Sequence, residues 1–529
     1  NVRSYLKDFE EDVIDNLFLF TKDQYSDTDR SIQRFIRYGV NIIVDNSDTL
    51  PIPIVFENHP TYANLVGSIE THFEIGGESR TSFMMIKAGS IIRSSGGFIV
   101  IRAEDILKEA ESWYHLKRII QTGLVEIQQK HGPLNLTGIL LKPEPVEVDI
   151  KVVMVGNEHL YDILYNQDPD FQKHFKISAE FDSVMLKTPD TIAQYISFMK
   201  KLVSDEKMRE LTPDGMCATI EYGVRFAEWK DKLTTRFSRV ADIIREADYW
   251  AGKSGKEQID REAVIRTIEE RNYLFNLSEE KLDDLIVHGI LLIKVTGTAT
   301  GKVNGLAIHD RGYYIFGKPT LVTARTAPGD RGVVNIEREA GLSGELHDKG
   351  VMILEGYLRS KYALSFPLSV YASICFEQSY NEIEGDSASS TEMYALLSSI
   401  AGVPMRQDLA VSGSINQAGE IQPVGSITEK VEGFFRVCKK VGLTKAQGVL
   451  IPHQNIDNLI VSQEVCRAVE EGFFHIYPIG TIDEGLEILT GLEAGNRDSK
   501  DQFPENSLNY LIEKKLKEMA NSVKAYGKG

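Results

Sequence analysis

The stretch EIEGDSASSTEMYALLSSIAGVP (residues 382–404) decides how the C-terminal half of this chain is read. Gly385, Asp386 and Ser387 form a turn of glycine and short polar residues, and the run that follows has the composition of a helix. Ser387 therefore stands at the mouth of a helix. Downstream, AVSGSINQAGEIQPVGSITEK (residues 410–430) passes through a strand-rich segment and ends on Lys430, at the start of a second helix. A serine hydroxyl needs a base, and a desolvated lysine amine can be one. An ordinary lysine pKa is about 10.4, so burial has to lower it by several units. Val424, Ile427, Val431, Phe434 and Phe435 are apolar neighbours that permit this. The pair points to a Ser-Lys peptidase acting through an acyl-enzyme. Taken alone, a serine in such a turn is usually a helix N-cap and a lone lysine is usually solvated. Ser389 and Ser390 read as helix-start residues rather than nucleophiles.

More than the pair is present. Residues 295–492 resemble the proteolytic domain of the Lon protease family (peptidase family S16) in its LonB-like form. The runs that carry this are GDSAS (residues 385–389), the 410–430 segment, VVNIEREAGLSGELHDKGVMILEGYL (residues 333–358) and QGVLIP (residues 447–452). The resemblance implies that Ser387 and Lys430 are the catalytic dyad. It places Ser412 where a hydroxyl orients the lysine amine. Asp386 is read either as acting on the turn or the lysine's protonation, or as a second N-cap. Backbone amides near Asp386 and Ser387 are expected to form an oxyanion hole. Ser426 stands where many relatives have glycine. A histidine base is the competing arrangement, but GDSAS is not a Gly-x-Ser-x-Gly elbow, and His347, His453 and His475 are scattered. No His-Glu-x-x-His occurs, and no metal is expected.

The upstream half carries a second resemblance, to the AAA+ module of LonB-like proteases. HPTYANLVGSIE (residues 59–70), IKAGSIIRSSGGFIVIRAEDIL (86–107), WYHLKRIIQTGLVEIQ (113–128) and DPDFQKHFKISAEFD (168–182) support it, and KLTTRFSRVADIIREADYWA (232–251) is similar to the lid. GVNIIVDN, GGFIVIRA and VDIKVVMVGN read as strands alternating with helices, the pattern of a parallel sheet. The expected fold is α/β multidomain: an N-terminal helix (1–30), a partial or degenerate AAA+ α/β module (31–186), an all-helical lid (187–285), an α+β Lon-type proteolytic domain (286–495) and a charged tail (496–529).

The nucleotide chemistry is incomplete in the sequence. A P-loop needs a strand, a glycine turn, then Lys and Ser/Thr opening a helix. ADYWAGKS (residues 247–254) follows a helix and is bulky, and GTATGKV (297–303) is one residue short. In FIVIRAED (98–105) Arg102 occupies the place of a magnesium-handling acid, with Glu104 and Asp105 following. Asn157 resembles a sensor-1 residue and Arg236 a sensor-2 arginine. Two readings stay open: the start at Asn1 favours a P-loop on a missing N-terminal part, which would bind ATP-Mg, and Arg102 favours a degenerate module in an ATP-independent, LonC-like peptidase; a non-proteolytic remodelling scaffold is a further alternative. Peptide hydrolysis itself needs no cofactor.

The resemblance also implies a homohexameric ring that degrades unfolded or damaged proteins. His72–Phe73 followed by Gly76–Gly77 reads as an aromatic pore loop or a plain β-turn, and Phe434–Phe435 and Phe473–Phe474 as core. The 529 residues carry a net charge of −18, which argues against nucleic acid as a partner. Cys217, Cys375, Cys438 and Cys466 lack metal or CxxC spacing and read as reduced cytoplasmic thiols. There is no 18-residue apolar run, so no membrane span is expected.

Overall fold

The computed structural model describes residues 2–20, 35–47, 52–73, 79–128 and 141–526. Contacts divide the chain into two units, Asn1–Glu180 and Phe181–Gly529. The first opens with helix α1 (Val2–Asp15). Its sheet has β1 (Ile54–Glu57), β2 (Gly97–Arg102) and β3 (Ile150–Val155), all parallel, in the order β1-β2-β3. Parallel neighbours need crossovers, and helices supply them. After β2 comes α2 (Ala110–Thr122), whose Trp113, Leu116 and Ile119 face the core that holds Ile99 and Ile101. After β3 comes α3 (Glu158–Gln167). GVNIIVDN, expected as a strand, is not one. Asn41 there donates to the carbonyls of Phe83 (2.9 Å) and Ile86 (3.0 Å), and Val40 and Ile42 face outward. Only Ile43 and Val44 pack against the core, without joining the ladder.

The second unit starts with a helical bundle: α4 (Pro189–Asp205), α5 (Pro213–Ala227), α6 (Phe237–Lys253) and α7 (Arg261–Phe275). Thr188 and Thr212 cap α4 and α5 just ahead of an N1 proline, which fixes where each begins. Val184–Leu186 pairs with Lys232–Thr234, so these residues go with the bundle. Helix α8 (Leu277–Val287) follows.

A seven-stranded mixed sheet comes next. Its strands are β4 (Lys302–Asp310), β5 (Ile315–Pro328), β6 (Gly332–Asn335), β7 (Val370–Glu377), β8 (Leu409–Val411), β9 (Gly448–Pro452) and β10 (His475–Ile479), in the order β6-β7-β5-β4-β8-β9-β10. Side chains alternate between its faces with period two. Val303, Leu409, Val411 and Leu450 face one core. Leu306, Ala410, Val449 and Ile451 face another. The first core is closed by α9 (Glu345–Tyr362), α10 (Ser389–Ala401) and α12 (Ile482–Thr490), and the second by α11 (Ile427–Val441). The stretch read as a charged tail also belongs to the first core. It forms α13 (Leu508–Tyr526), which buries Leu508, Ile512 and Leu516 there.

Candidate active site

The turn that carries Ser387 is built by its neighbours. Gly385 has φ 87°, a conformation that costs glycine little. The Ser389 amide donates to the Asp386 carbonyl (2.9 Å) and closes the turn. The N-cap residue of α10 is Ala388, and no side chain caps the helix. Ser387 is therefore not spent as a cap, and its side chain is half-buried. Among the described residues, the Ser387 and Ala388 amides donate to no protein acceptor. They lie at the positive end of the α10 dipole, where a developing oxyanion is favoured.

The chain leaving β8 is bonded to this turn residue by residue. The Gly413 amide donates to the Ser387 carbonyl (2.9 Å). The Ser390 hydroxyl donates to the Gly413 carbonyl (2.6 Å), and the Ile415 amide to Ser389 Oγ (3.0 Å). Ser412 is thereby placed beside the Ser387 turn. It is fully buried, its amide bonds to the Leu450 carbonyl (3.0 Å), and among the described residues its Oγ has no hydrogen-bond partner. An orphaned buried hydroxyl is costly and calls for an explanation.

Lys430 lies in the first turn of α11, with only 3% of its surface exposed. Val431 and Phe434 beside it are fully buried. Burial pushes its pKa down to about 8, against the pull of the Asp386 carboxylate, which is near enough to favour the ammonium. Among the described residues the amine has no ion-pair partner. Two glycines set the depth of α11. A Cβ on Gly317 of β5 would lie 2.1 Å from the Glu429 carbonyl oxygen and 2.7 Å from Lys430 Cα. One on Gly433 would lie 2.1 Å from the Gly317 carbonyl oxygen. Strand and helix therefore touch backbone to backbone. Sequence reading missed both; the available signal was a glycine inside a strand pattern, which marks close backbone approach. Ser426, just ahead of α11, sits in the left-handed region (φ 53°, ψ 40°), the conformation that favours glycine. On the outer face, Glu432 accepts a fork of bonds from Arg225 of α5 (2.8 and 2.5 Å), and Arg436 donates to buried Asp283 of α8 (2.8 Å).

The other singled-out residues lie elsewhere. Asn157 caps α3 through the Leu160 amide (2.8 Å) and donates to Glu104 (3.3 Å). Arg102 is paired with Glu104 (3.3 Å) and Asp105 (3.6 Å). Arg236, ahead of α6, lies over the Phe226 ring at 5.6 Å. Residues 247–254 are the end of α6, and residues 297–303 lead through a short strand into β4. The described residues thus compose no triphosphate cradle, and they do not fit ATP-Mg by themselves. His72–Phe73 pairs with Ser79–Arg80, while Gly76 and Gly77 lie outside the described residues. His475 bonds to the Lys445 carbonyl (2.8 Å), and His347 is buried under the Ser387 turn against Glu392 (3.5 Å). Among the described residues no group of three or more His, Cys, Asp or Glu is arranged for a metal, and no helix is long and apolar enough to cross a membrane.

Comparison with known proteins follows the same layout. Residues 51–182 match the family described as LonB-like, AAA domain; residues 210–273 match the archaeal LonB AAA+ ATPase lid domain; residues 378–491 match the Lon protease (S16) C-terminal proteolytic domain. A Lon protease homolog of Haemophilus influenzae is 27% identical over 513 residues, covering 92% of this chain and 82% of that protein. A Lon protease homolog of Escherichia coli is 28% identical, covering 77% and 69%. An archaeal Lon protease of Thermococcus kodakarensis is 26% identical, covering 84% and 68%. The three domain matches run in order along one chain, and the last encloses the Ser387 turn and the helix bearing Lys430; the chain belongs to the Lon protease family, with LonB-like AAA and lid domains ahead of an S16 proteolytic domain.

Proposed function

We propose that this chain is a Lon-type serine endopeptidase in which Ser387 is the nucleophile and Lys430 its base. The observation that carries the reading is a buried lysine, without an ion-pair partner among the described residues, whose pKa is pushed down to about 8. Neutral Lys430 Nζ takes the proton of Ser387 Oγ as the hydroxyl attacks the peptide carbonyl. The oxyanion is met by the Ser387 and Ala388 amides, each such donor being worth about 3 kcal/mol. Lys430 then returns the proton to the leaving amine, and water hydrolyses the acyl ester. The orphaned Ser412 hydroxyl is the group suited to hold the Lys430 amine toward Ser387.

Unfolded or damaged proteins are the substrates this reading favours, in a cytoplasmic homohexamer. Coupling to ATP hydrolysis, which would supply the work of unfolding and threading, belongs to this reading. A second reading, peptidase action without ATP, is favoured by Arg102, which ties up both acids at the end of β2. The Asn157 and Arg236 assignments to nucleotide remain part of the first reading. Casein degradation with and without ATP-Mg, beside Ser387→Ala, tests all of this. Cleavage lost in the variant supports the dyad, and its dependence on ATP separates the two readings. Wild-type cleavage by Ser387→Ala overturns the assignment.

A further inference from the structure

Beneath the Ser387 turn lies a sealed cluster of ionisable groups that the proposed chemistry does not use. Glu392 in the first turn of α10 and His347 in the first turn of α9 are each 2% exposed, with Nε2 and Oε1 3.5 Å apart. Glu337, just after β6, is 4% exposed; one of its oxygens accepts the Phe376 amide (2.7 Å). Among the described residues, three polar atoms of this cluster have no hydrogen-bond partner: Glu337 Oε2, His347 Nε2 and Glu392 Oε1. Two carboxylates and one imidazole, shut off from water, cannot all stay without a shared proton, because an unpaired buried charge is too costly.

The cluster is joined to the reacting turn by the same two helices. The Glu392 amide donates to the Ala388 carbonyl (3.0 Å). One turn beyond His347, a Cβ on Gly350 would stand 3.4 Å from Asp386 Cβ and 3.6 Å from Ser389 Cβ. So α9 touches α10 at the His347–Glu392 pair and again at the Ser387 turn. The His347 ring is also fixed edge-on to Phe376 (5.4 Å).

We propose that Glu392 holds a proton at neutral pH and shares it with His347 Nε2, and that this buried pair positions the turn bearing Ser387. The proton stays within the pair; neither residue touches the substrate. Burial first, and then the charge of Glu337, raises the Glu392 pKa well above the ordinary carboxylate range. Burial lowers that of His347, opposed by Glu337, Asp348, Glu384 and Asp386. Cys375 of β7 is the remaining titratable neighbour, bonded to Glu337. From β4, β5 and α13 the same core contributes apolar residues such as Val303, Val322 and Ile512.

The sign of the pH dependence follows. Unfolded, the pair holds one proton between about 4.5 and 6.5, on the imidazole, and none above; folded, it keeps the shared one, so its contribution to stability is level there and falls as pH rises from about 6.5 toward the folded Glu392 value, by up to about tenfold in the folding constant per pH unit. Glu392→Gln keeps a neutral donor to His347 and removes that slope.

The positioning role rests on Ser387 being the nucleophile, whereas the proton does not, so the two are read separately. Infrared difference spectra of full-length wild type against Glu392→Gln are expected to show a protonated-carboxyl C=O band at neutral pH, present only in wild type. Its absence means an ionised Glu392 and overturns the shared proton. In peptide cleavage, Glu392→Gln is expected to stay within about threefold in kcat, while Glu392→Asp, too short to reach His347, loses about tenfold in kcat at unchanged KM. A Glu392→Asp variant with wild-type kcat, or one impaired only in KM, overturns the positioning role. Should Glu392→Asp fail to fold, the kcat of Glu392→Gln and its flattened stability profile against pH decide: a profile as steep as wild type sinks the proposal.

Discussion

At an ordinary lysine pKa, Lys430 would be almost wholly charged at neutral pH and useless as a base. With its pKa near 8, about a tenth of the molecules carry the free amine at pH 7. Peptidase rate is therefore expected to climb about tenfold per pH unit below 8 and to level off above it. Asp386 stabilises the ammonium, so Asp386→Asn should move that midpoint to lower pH. A kcat–pH profile on a short peptide checks both; an unmoved midpoint in the variant would remove Asp386 from the electrostatics of the site. Ser387, Ser412 and Lys430 can be singled out in the sequence because the runs around them resemble a known family; Ser387 or Lys430 alone reads as a helix cap or a solvated side chain. The His347–Glu392 contact is not legible, since nothing in either local run says that two helices will bring them together.

Among the elements, the depth of α11 is the most consequential, because it determines how dry Lys430 is. The crossing with β5 at Gly317 and Gly433 leaves no room for a side chain. Gly317→Ala is expected to push α11 outward, cost about 1–3 kcal/mol of stability and let water reach the amine. The cleavage midpoint should then rise toward that of a solvated lysine, alongside a lower Tm. A variant as stable as wild type with an unchanged pH profile would show that the crossing does not control the base. The two glycines are far apart in the chain, so their contact is a tertiary fact that no local pattern carries. GVNIIVDN teaches the converse. Its alternation reads as a strand, yet Asn41 spends its amide on the Phe83 and Ile86 carbonyls and the segment stays outside the sheet. Propensity yields to tertiary hydrogen bonding there.

For the whole second unit, α13 is what completes the core behind α10. Read as composition, residues 508–526 are charged; read as a helix, Leu508, Ile512 and Leu516 form a buried stripe four residues apart. Asn509 adds polar anchors, accepting from the Tyr362 hydroxyl (2.6 Å) and donating to the Gly495 carbonyl (2.8 Å). Ile512→Ala should cost about 2–5 kcal/mol, read as a drop in Tm with the activity of the folded fraction preserved. If Tm is unchanged, α13 is not part of the cooperative core. The placement of this helix also bears on synthesis. Translation proceeds at about 5–20 residues per second, and the hydrophobic floor beneath the Ser387 helix stays open until α13 has cleared the ribosome. A nascent chain therefore acquires the closed core behind the Ser387 turn only after α13 has been made.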